Sequence, residues 1–170
     1  MASTLWLTGL SSAGKSALAR TVAQALEARG LPCAVLDGDE LRNGLCSDLG
    51  FSATDQSESI RRTAEVAALI NRTGVTAIVA LISPMAADRA KAKAIIGAKT
   101  MVEIHVATPL DVCESRDSKG LYQRARRCEL AGFAGINAPY EAPTQAQLTL
   151  DTSVLKPVAC LSRILLLLKL

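Results

Sequence analysis

Gly9-Leu10-Ser11-Ser12-Ala13-Gly14-Lys15-Ser16 sets two glycines, a lysine and a serine in the spacing G-x-x-x-x-G-K-S near the start of the chain. Such glycines let a backbone turn tightly and aim successive N–H groups into one concavity that holds phosphate oxygens. A helix beginning there adds its positive N-terminal end. Lys15 supplies a point charge for the β- and γ-phosphates, and the Ser16 hydroxyl can ligate Mg²⁺. The segment from Gly9 to Ala17 is therefore expected to grip a nucleoside triphosphate. Whether the triphosphate is hydrolysed or hands its phosphoryl group to an acceptor depends on residues elsewhere.

Asp37 and Asp39 flank a glycine, and Arg42 lies one helical turn further on. One carboxylate can orient Mg²⁺ and its waters, the other can accept a proton from an attacking hydroxyl, and Arg42 can neutralise charge on an acceptor. On spacing alone, a plain D-G-D turn with a helix cap competes evenly with this reading. Ser83 and Pro84 end another apolar run, where Ser83 can cap the next helix or touch substrate; capping is the plainer reading. Lys119, Arg124, Arg126 and Arg127 lie in a stretch punctuated by Gly120, Gly132 and Gly135. It reads as a mobile lid over about 117–137 that carries cations over the phosphates and excludes water. A solvated basic helix face is the alternative. Phe51, Tyr122 and Phe133, three of five aromatics, sit in loop-like segments and can stack on a base or pack in the core. A simple hydrolase would gain little from a second aspartate and an aromatic pair, so transfer is the favoured reading. His105 alternates within a strand-like run, has no His or Cys partner nearby in sequence, and reads as structural.

The elements that must position these groups are legible as alternating runs. Strands are expected at LWLTG, CAVLDGD, VTAIVALIS, MVEIHVAT and LTLDT. Helices are expected at SALARTVAQALEARG, SESIRRTAEVAALINRTG, AADRAKAKAIIGAK and PLDVCESRD, with a last one from about Pro157. The first helix places Leu18, Val22, Ala25 and Leu26 on one face and stops at Gly30. This order means an α/β fold with a parallel sheet and helices on both faces, read as one domain over 1–170. In such sheets ligands bind beyond the carboxyl ends of the strands, so the loops after Thr8, Leu36, Ile82 and Thr108 are the ones to examine. The chain has 170 residues, 49% of them hydrophobic, and a formal net charge of +3, too weak a basic bias to argue for nucleic acid. Five cysteines, an odd number with no C-x-x-C pair, fit a reduced intracellular protein better than a disulfide framework or metal site. No secretory leader is visible, and the apolar ILLLLKL is too short to span a bilayer and reads as part of a packed terminal helix.

With those pieces in order, the chain resembles the adenylylsulfate kinase family. The carrying motifs are WLTGLSSAGKS, LDGDELRNGL, DLGF, IRRTAEVA, ALISP, ADR, PLDVCESRD, KGLY, GFAGI, PYEAP and LDT, which run from Leu5 to about Thr152. The resemblance implies a P-loop kinase, a parallel sheet sandwiched by helices with a small mobile lid. It implies transfer of the γ-phosphoryl of MgATP to the 3'-hydroxyl of adenosine 5'-phosphosulfate. It assigns ATP to Gly9, Ser11, Ser12, Ala13, Gly14, Lys15, Ser16, Ala17 and Arg116, and Mg²⁺ to Ser16 and Asp37. It assigns the acceptor to Asp37, Asp39, Arg42, Phe51, Gln56, Ser59, Leu81, Ile82, Ser83, Lys119 and Phe133, with Phe51 and Phe133 across the adenine. Lys15, Asp37, Asp39 and Ser83 are its catalytic set; Ser83 falls at a serine credited in the family with a phosphoserine intermediate, although direct in-line transfer needs none. It further implies a cytoplasmic enzyme with a small nucleotide substrate, no nucleic-acid or membrane partner, and a homodimer as the assembly to test for.

Four departures bear on the acceptor. Where the family reads DRxENIRR this chain has DQSESIRR, so Gln56 and Ser59 replace an arginine and an asparagine that contact the acceptor. Where it reads ISPYRADR this chain has ISPMAADR, so Met85 and Ala86 replace a tyrosine and an arginine. Each lost charge-assisted contact is worth about 1.5–3 kcal/mol if buried at the ligand. Either adenylylsulfate binds more weakly or the acceptor is another 5'-substituted nucleotide. A catalytically silent nucleotide-binding domain is the remaining alternative, and an intact loop with both aspartates argues against it.

Overall fold

A computed structural model describes residues 3–170. Five parallel strands form one sheet in the order β2-β3-β1-β4-β5, where β1 is Thr4–Thr8, β2 Cys33–Asp37, β3 Thr76–Ala80, β4 Met101–Val106 and β5 Leu148–Leu150. The helices are α1 Lys15–Glu27, α2 Gly38–Arg42, α3 Ala53–Arg72, α4 Ala86–Ile96, α5 Leu110–Ser115, α6 Leu121–Arg126 and α7 Pro157–Leu167. β1 is central, and the strand order reverses there, so the crevice at its carboxyl end is the expected ligand site.

Strand alternation divides the core between the two faces of the sheet. Leu5, Leu7, Ile78, Ala80, Ile104 and Val106 pack under Leu18, Val22 and Leu26 of α1 and Ile164 and Leu165 of α7. Trp6, Ala77, Val79 and Met101 pack under Ile60, Ala64 and Ala67 of α3 and Ala92 and Ile96 of α4. Every residue of β1 is fully buried, as expected of a strand covered on both sides.

Several expected boundaries shift. The second strand stops at Asp37, because Gly38 and Asp39 already belong to α2 and the Asp37 side chain accepts from the Asp39 N–H as an N-cap. The third stops at Ala80, because Ser83 takes φ of 40°, outside the β region. α3 begins at Ala53, four residues before the expected Ser57, since Ser52 accepts from the Asp55 N–H and caps it. On α1, Ala25 is only partly buried, and Ala19 and Ala23 complete the buried face instead. The C-terminal apolar run is the end of α7, with Ile164 and Leu165 in the core.

Candidate active site

The phosphate loop follows β1 directly. Gly9 is required there by close approach: a Cβ would collide with the Val106 carbonyl of the neighbouring strand. Gly14, at φ 102°, is the N-cap of α1, a backbone state that L side chains rarely adopt. The loop is braced from behind. Thr108 and Thr152 both donate to the Ala13 carbonyl at 2.9 Å, and the Tyr122 hydroxyl donates to the Ser11 carbonyl at 2.8 Å. Arg116 donates to the Thr152 hydroxyl at 2.7 Å and to its carbonyl at 3.0 Å, which places this predicted ATP contact beside the loop.

Lys15 is buried, and its ammonium donates to the Leu10 carbonyl across the loop at 2.7 Å. Burial lowers its pKa to about 8, although the nearby Cys113, Asp37 and Asp39 pull the other way. Below pH 8 the free lysine is charged; above it the group is largely neutral. Polyphosphate oxygens favour the charged form, so nucleotide binding near pH 8 takes up a proton, and affinity falls as pH rises beyond that value. Calorimetry in buffers of different ionisation enthalpy measures this uptake; a binding enthalpy independent of buffer at that pH would exclude it.

Asp37 is buried, and its Oδ2 has no hydrogen-bond partner among the described residues. A buried carboxylate oxygen without a donor is costly, and a cation or its water would satisfy it. No three His, Cys, Asp or Glu side chains converge among the described residues. A metal here would be carried mainly by phosphate oxygens and water, the usual pattern for Mg²⁺, with Ser16 and Asp37 as the protein groups that could hold it. Asp39 is exposed, and its carboxylate pairs with Lys119 at 2.5 Å.

The acceptor-side residues lie on α2 and the loop after it, on the first turns of α3, on the segment after β3 and on the segment expected as a lid. Phe51 is 61% exposed, and the Arg42 guanidinium covers one face of its ring at 4.1 Å from the centroid. The Phe133 ring, on the segment expected as a lid, meets Tyr122 edge-on at 5.0 Å. Tyr122 is no base-stacking candidate, because it is buried and its hydroxyl braces the phosphate loop. Gln56 donates to the Phe51 carbonyl at 2.8 Å and to the Gly132 carbonyl at 3.2 Å. Ser59 is buried on α3, Leu81 is in the core, and the Ile82 carbonyl accepts from the Thr8 hydroxyl at 2.6 Å. Of the four cations in the segment expected as a lid, Lys119 is the one paired with Asp39. Arg126 pairs with Glu114 at 2.6 Å, and Arg124 lies 3.8 Å from Glu129, both away from the loop.

Ser83 does not cap a helix. α4 starts after Met85, which provides no side-chain cap, and the Ala86 N–H is taken at 2.6 Å by the carboxylate of Glu141. The Ser83 hydroxyl is buried instead, accepts from the Trp6 indole N–H at 3.0 Å and is 3.4 Å from the Leu81 carbonyl. A phosphoserine would have to bury a dianion in place of those contacts. Ser83→Ala is expected to leave the indole N–H unpaired, costing about 1–3 kcal/mol, while phosphoryl transfer persists without labelled enzyme. Covalent label recovered at position 83 of the wild type would contradict this.

Sequence reasoning passed over the group that holds this corner. Arg89 is buried and donates to Glu103 at 2.9 Å and to the carbonyls of Ser83, Pro84 and Glu141 at 2.7, 3.1 and 2.6 Å. Tyr140 shares a hydrogen bond with Thr8 at 3.0 Å and stacks on His105, which burial and Arg89 hold below the usual histidine range. The signal for both residues was present in the ADR and PYEAP motifs, but spacing alone does not reveal that distant segments meet.

A strand-loop-helix phosphate cradle after the central strand, with one aspartate at the end of β2 and a second at the start of α2, defines a P-loop kinase. Residues 1–151 match the adenylylsulphate kinase family, and the chain belongs to that family. It is 54% identical over 149 residues to the adenylyl-sulfate kinase of Shewanella amazonensis, covering 88% of this chain and 75% of that one. It is 52% identical to the same enzyme of Shewanella denitrificans, over 88% and 73% of the two chains. Among solved structures it superposes on the Mycobacterium tuberculosis APS kinase CysC in complex with AMPPNP and APS. The TM-score is 0.94 at 40% identity, covering 99% of this chain and 98% of that one.

Proposed function

We propose that this chain, acting as a single kinase domain, transfers the γ-phosphoryl group of MgATP to the ribose 3'-hydroxyl of adenosine 5'-phosphosulfate, giving ADP and 3'-phosphoadenylylsulfate. The observation that carries the reading is the meeting of donor and acceptor groups: Asp37 at the end of β2 has a buried carboxylate oxygen without a partner among the described residues, and Asp39 beside it is tied to Lys119 of the segment expected as a lid. In this reading the amides from Gly9 to Ala17 cradle the phosphates, Lys15 follows the transferring group, and Arg116 lies on the adenine side of ATP. Ser16 and Asp37 would hold Mg²⁺, which supplies charge neutralisation at the β- and γ-phosphates. The acceptor oxygen attacks the γ-phosphorus in line, its bond forms as that to ADP breaks, and Asp39 takes the hydroxyl proton. Arg42 and Lys119 offset the charge of the acceptor, and Phe51 and Phe133 hold its base. Leu81 and Ile82 shape the strand end beneath it; Ser83 supports that shape through Trp6.

A second reading keeps the chemistry and changes the acceptor to another nucleotide substituted at its 5' position. It is favoured by the uncharged Gln56, Ser59 and Ala86, and by a Gln56 amide whose two bonds are both to protein. The same reading carries a cytoplasmic homodimer. Its five free cysteines suit a reducing compartment. Incubation with MgATP and a nucleotide panel, followed by assay of ADP and 3'-phosphorylated product, decides between acceptors. A protein that saturates with MgATP and transfers nothing to adenylylsulfate would end the first reading.

A further inference from the structure

We infer that Gln56 is a positioning residue: an uncharged latch that ties the loop carrying Phe51 to the lid segment carrying Phe133, and so sets the width of the acceptor slot. That the slot takes the acceptor's base rests on the proposed function; the latch itself does not. The side-chain amide of Gln56 has one NH₂ group, with two hydrogens. Nε2 donates to the carbonyl of Phe51, on its own side of the site, and to the carbonyl of Gly132, 76 residues away in the chain. Both carbonyls belong to segments with no strand or helix of their own, so neither is otherwise fixed by a ladder.

The two segments touch at this point. Gly132 has φ of 69°, and a Cβ placed there would lie 3.0 Å from the Phe51 carbonyl and 3.4 Å from Gln56 Nε2. Gly132 therefore serves the latch twice, by its left-handed backbone and by its lack of a side chain. On the lid side the adjoining Phe133 N–H is held at 2.7 Å by the Asn137 side chain, which also donates to the Leu130 carbonyl at 2.6 Å. On the loop side Phe51 is gripped by Arg42, whose guanidinium also donates to the Gly50 carbonyl at 3.1 Å. Gln56 is thus the direct bond between two locally braced units, each bearing one of the aromatic rings. A glutamine suits this better than a carboxylate, which has no hydrogen to offer two carbonyls. Because both of its donors are spent on protein, Gln56 gives the acceptor no N–H of its own, and selectivity at this edge comes from slot width.

The test compares wild type with Gln56→Ala and Gln56→Glu. Glutamate keeps the length and shape but cannot donate. In the protein without ligand, hydrogen exchange at the Phe133 amide is expected to accelerate about tenfold or more in both variants, the effect of losing one or two hydrogen bonds across a local opening. In turnover, KM for adenylylsulfate is expected to rise by about tenfold while KM for ATP stays within about twofold. Unchanged exchange in both variants overturns the latch. A raised acceptor KM with unchanged exchange also overturns it, since Gln56 would then touch the acceptor directly. If wild type does not phosphorylate adenylylsulfate, the proposed function fails, and the exchange measurement still decides the latch.

Discussion

Lys15→Ala lowers kcat by about 10²–10³-fold, the loss typical of removing one preorganised donor from developing charge, and leaves the protein folded. The residue is buried at the phosphate loop, and its only hydrogen bond among the described residues is to the Leu10 carbonyl within the same loop. No core packing depends on the ammonium. Burial of the free ammonium is unfavourable, as its pKa of about 8 shows, so its loss is expected to be neutral or slightly stabilising in the absence of nucleotide. A folded-state pKa below the unfolded value means that protonated Lys15 lowers stability at neutral pH, and this penalty fades as pH rises through about 8 towards the ordinary value of 10.5. Circular dichroism and thermal melts establish the fold, and steady-state assays give kcat. A soluble variant with near-normal turnover would show that the loop is not a donor cradle.

Arg89→Ala destabilises the protein by about 3–5 kcal/mol, the cost of breaking a buried ion pair from one side. That is a large share of the 5–15 kcal/mol typical of a whole domain. Removing this guanidinium strands the partly buried Glu103 carboxylate at 13% side-chain exposure and takes one donor each from the carbonyls of Ser83, Pro84 and Glu141. It also frees the segment around Tyr140, whose hydroxyl meets Thr8 at the mouth of the phosphate loop. Activity should fall along with stability, because the strand end after Ile82 and the loop after Thr8 share this anchor. Arg89→Lys should recover little, since one ammonium cannot reach four acceptors spread around a planar fork. Thermal unfolding reads the result; about 2–4 °C is expected per kcal/mol for a chain of this size. A melting temperature within a degree or two of wild type would reject the anchor.

Both predictions turn on residues that the sequence revealed very unequally. The phosphate loop is local. Its glycines, lysine and serine are adjacent in the chain, and the same eight residues that signal the function also form the structure. The D-G-D segment was half legible. Its place at a strand end was clear from the apolar run before it. The division of roles was not: Asp37 is buried with an unpaired oxygen, whereas Asp39 is exposed and held by Lys119, 80 residues on. Arg89 was almost illegible, because Glu103 and Glu141 come from segments that only folding brings to it.

The aromatic residues and lid cations show the same limit from another side. Loop-like surroundings made Tyr122, Phe51 and Phe133 look equivalent, yet one braces the phosphate loop, one lies open under Arg42, and one packs on the first. Four cations in the lid looked like one electrostatic device, yet Arg124 and Arg126 turn to nearby glutamates. A side chain's direction depends on which turn of a short helix it occupies, and α6 is only six residues long, too short for periodicity to register. By itself the sequence determined the strand-helix alternation, the buried central strands, the phosphate cradle and the identity of the acidic pair. These follow from periodicity and backbone chemistry within a few residues. Tertiary structure alone decided which aspartate is buried, that Ser83 serves Trp6, that Arg89 anchors the strand end, and that Gln56 faces two carbonyls. Each of those depends on contacts between residues far apart in the chain, and burial and hydrogen-bond partners exist only once the sheet has brought them together.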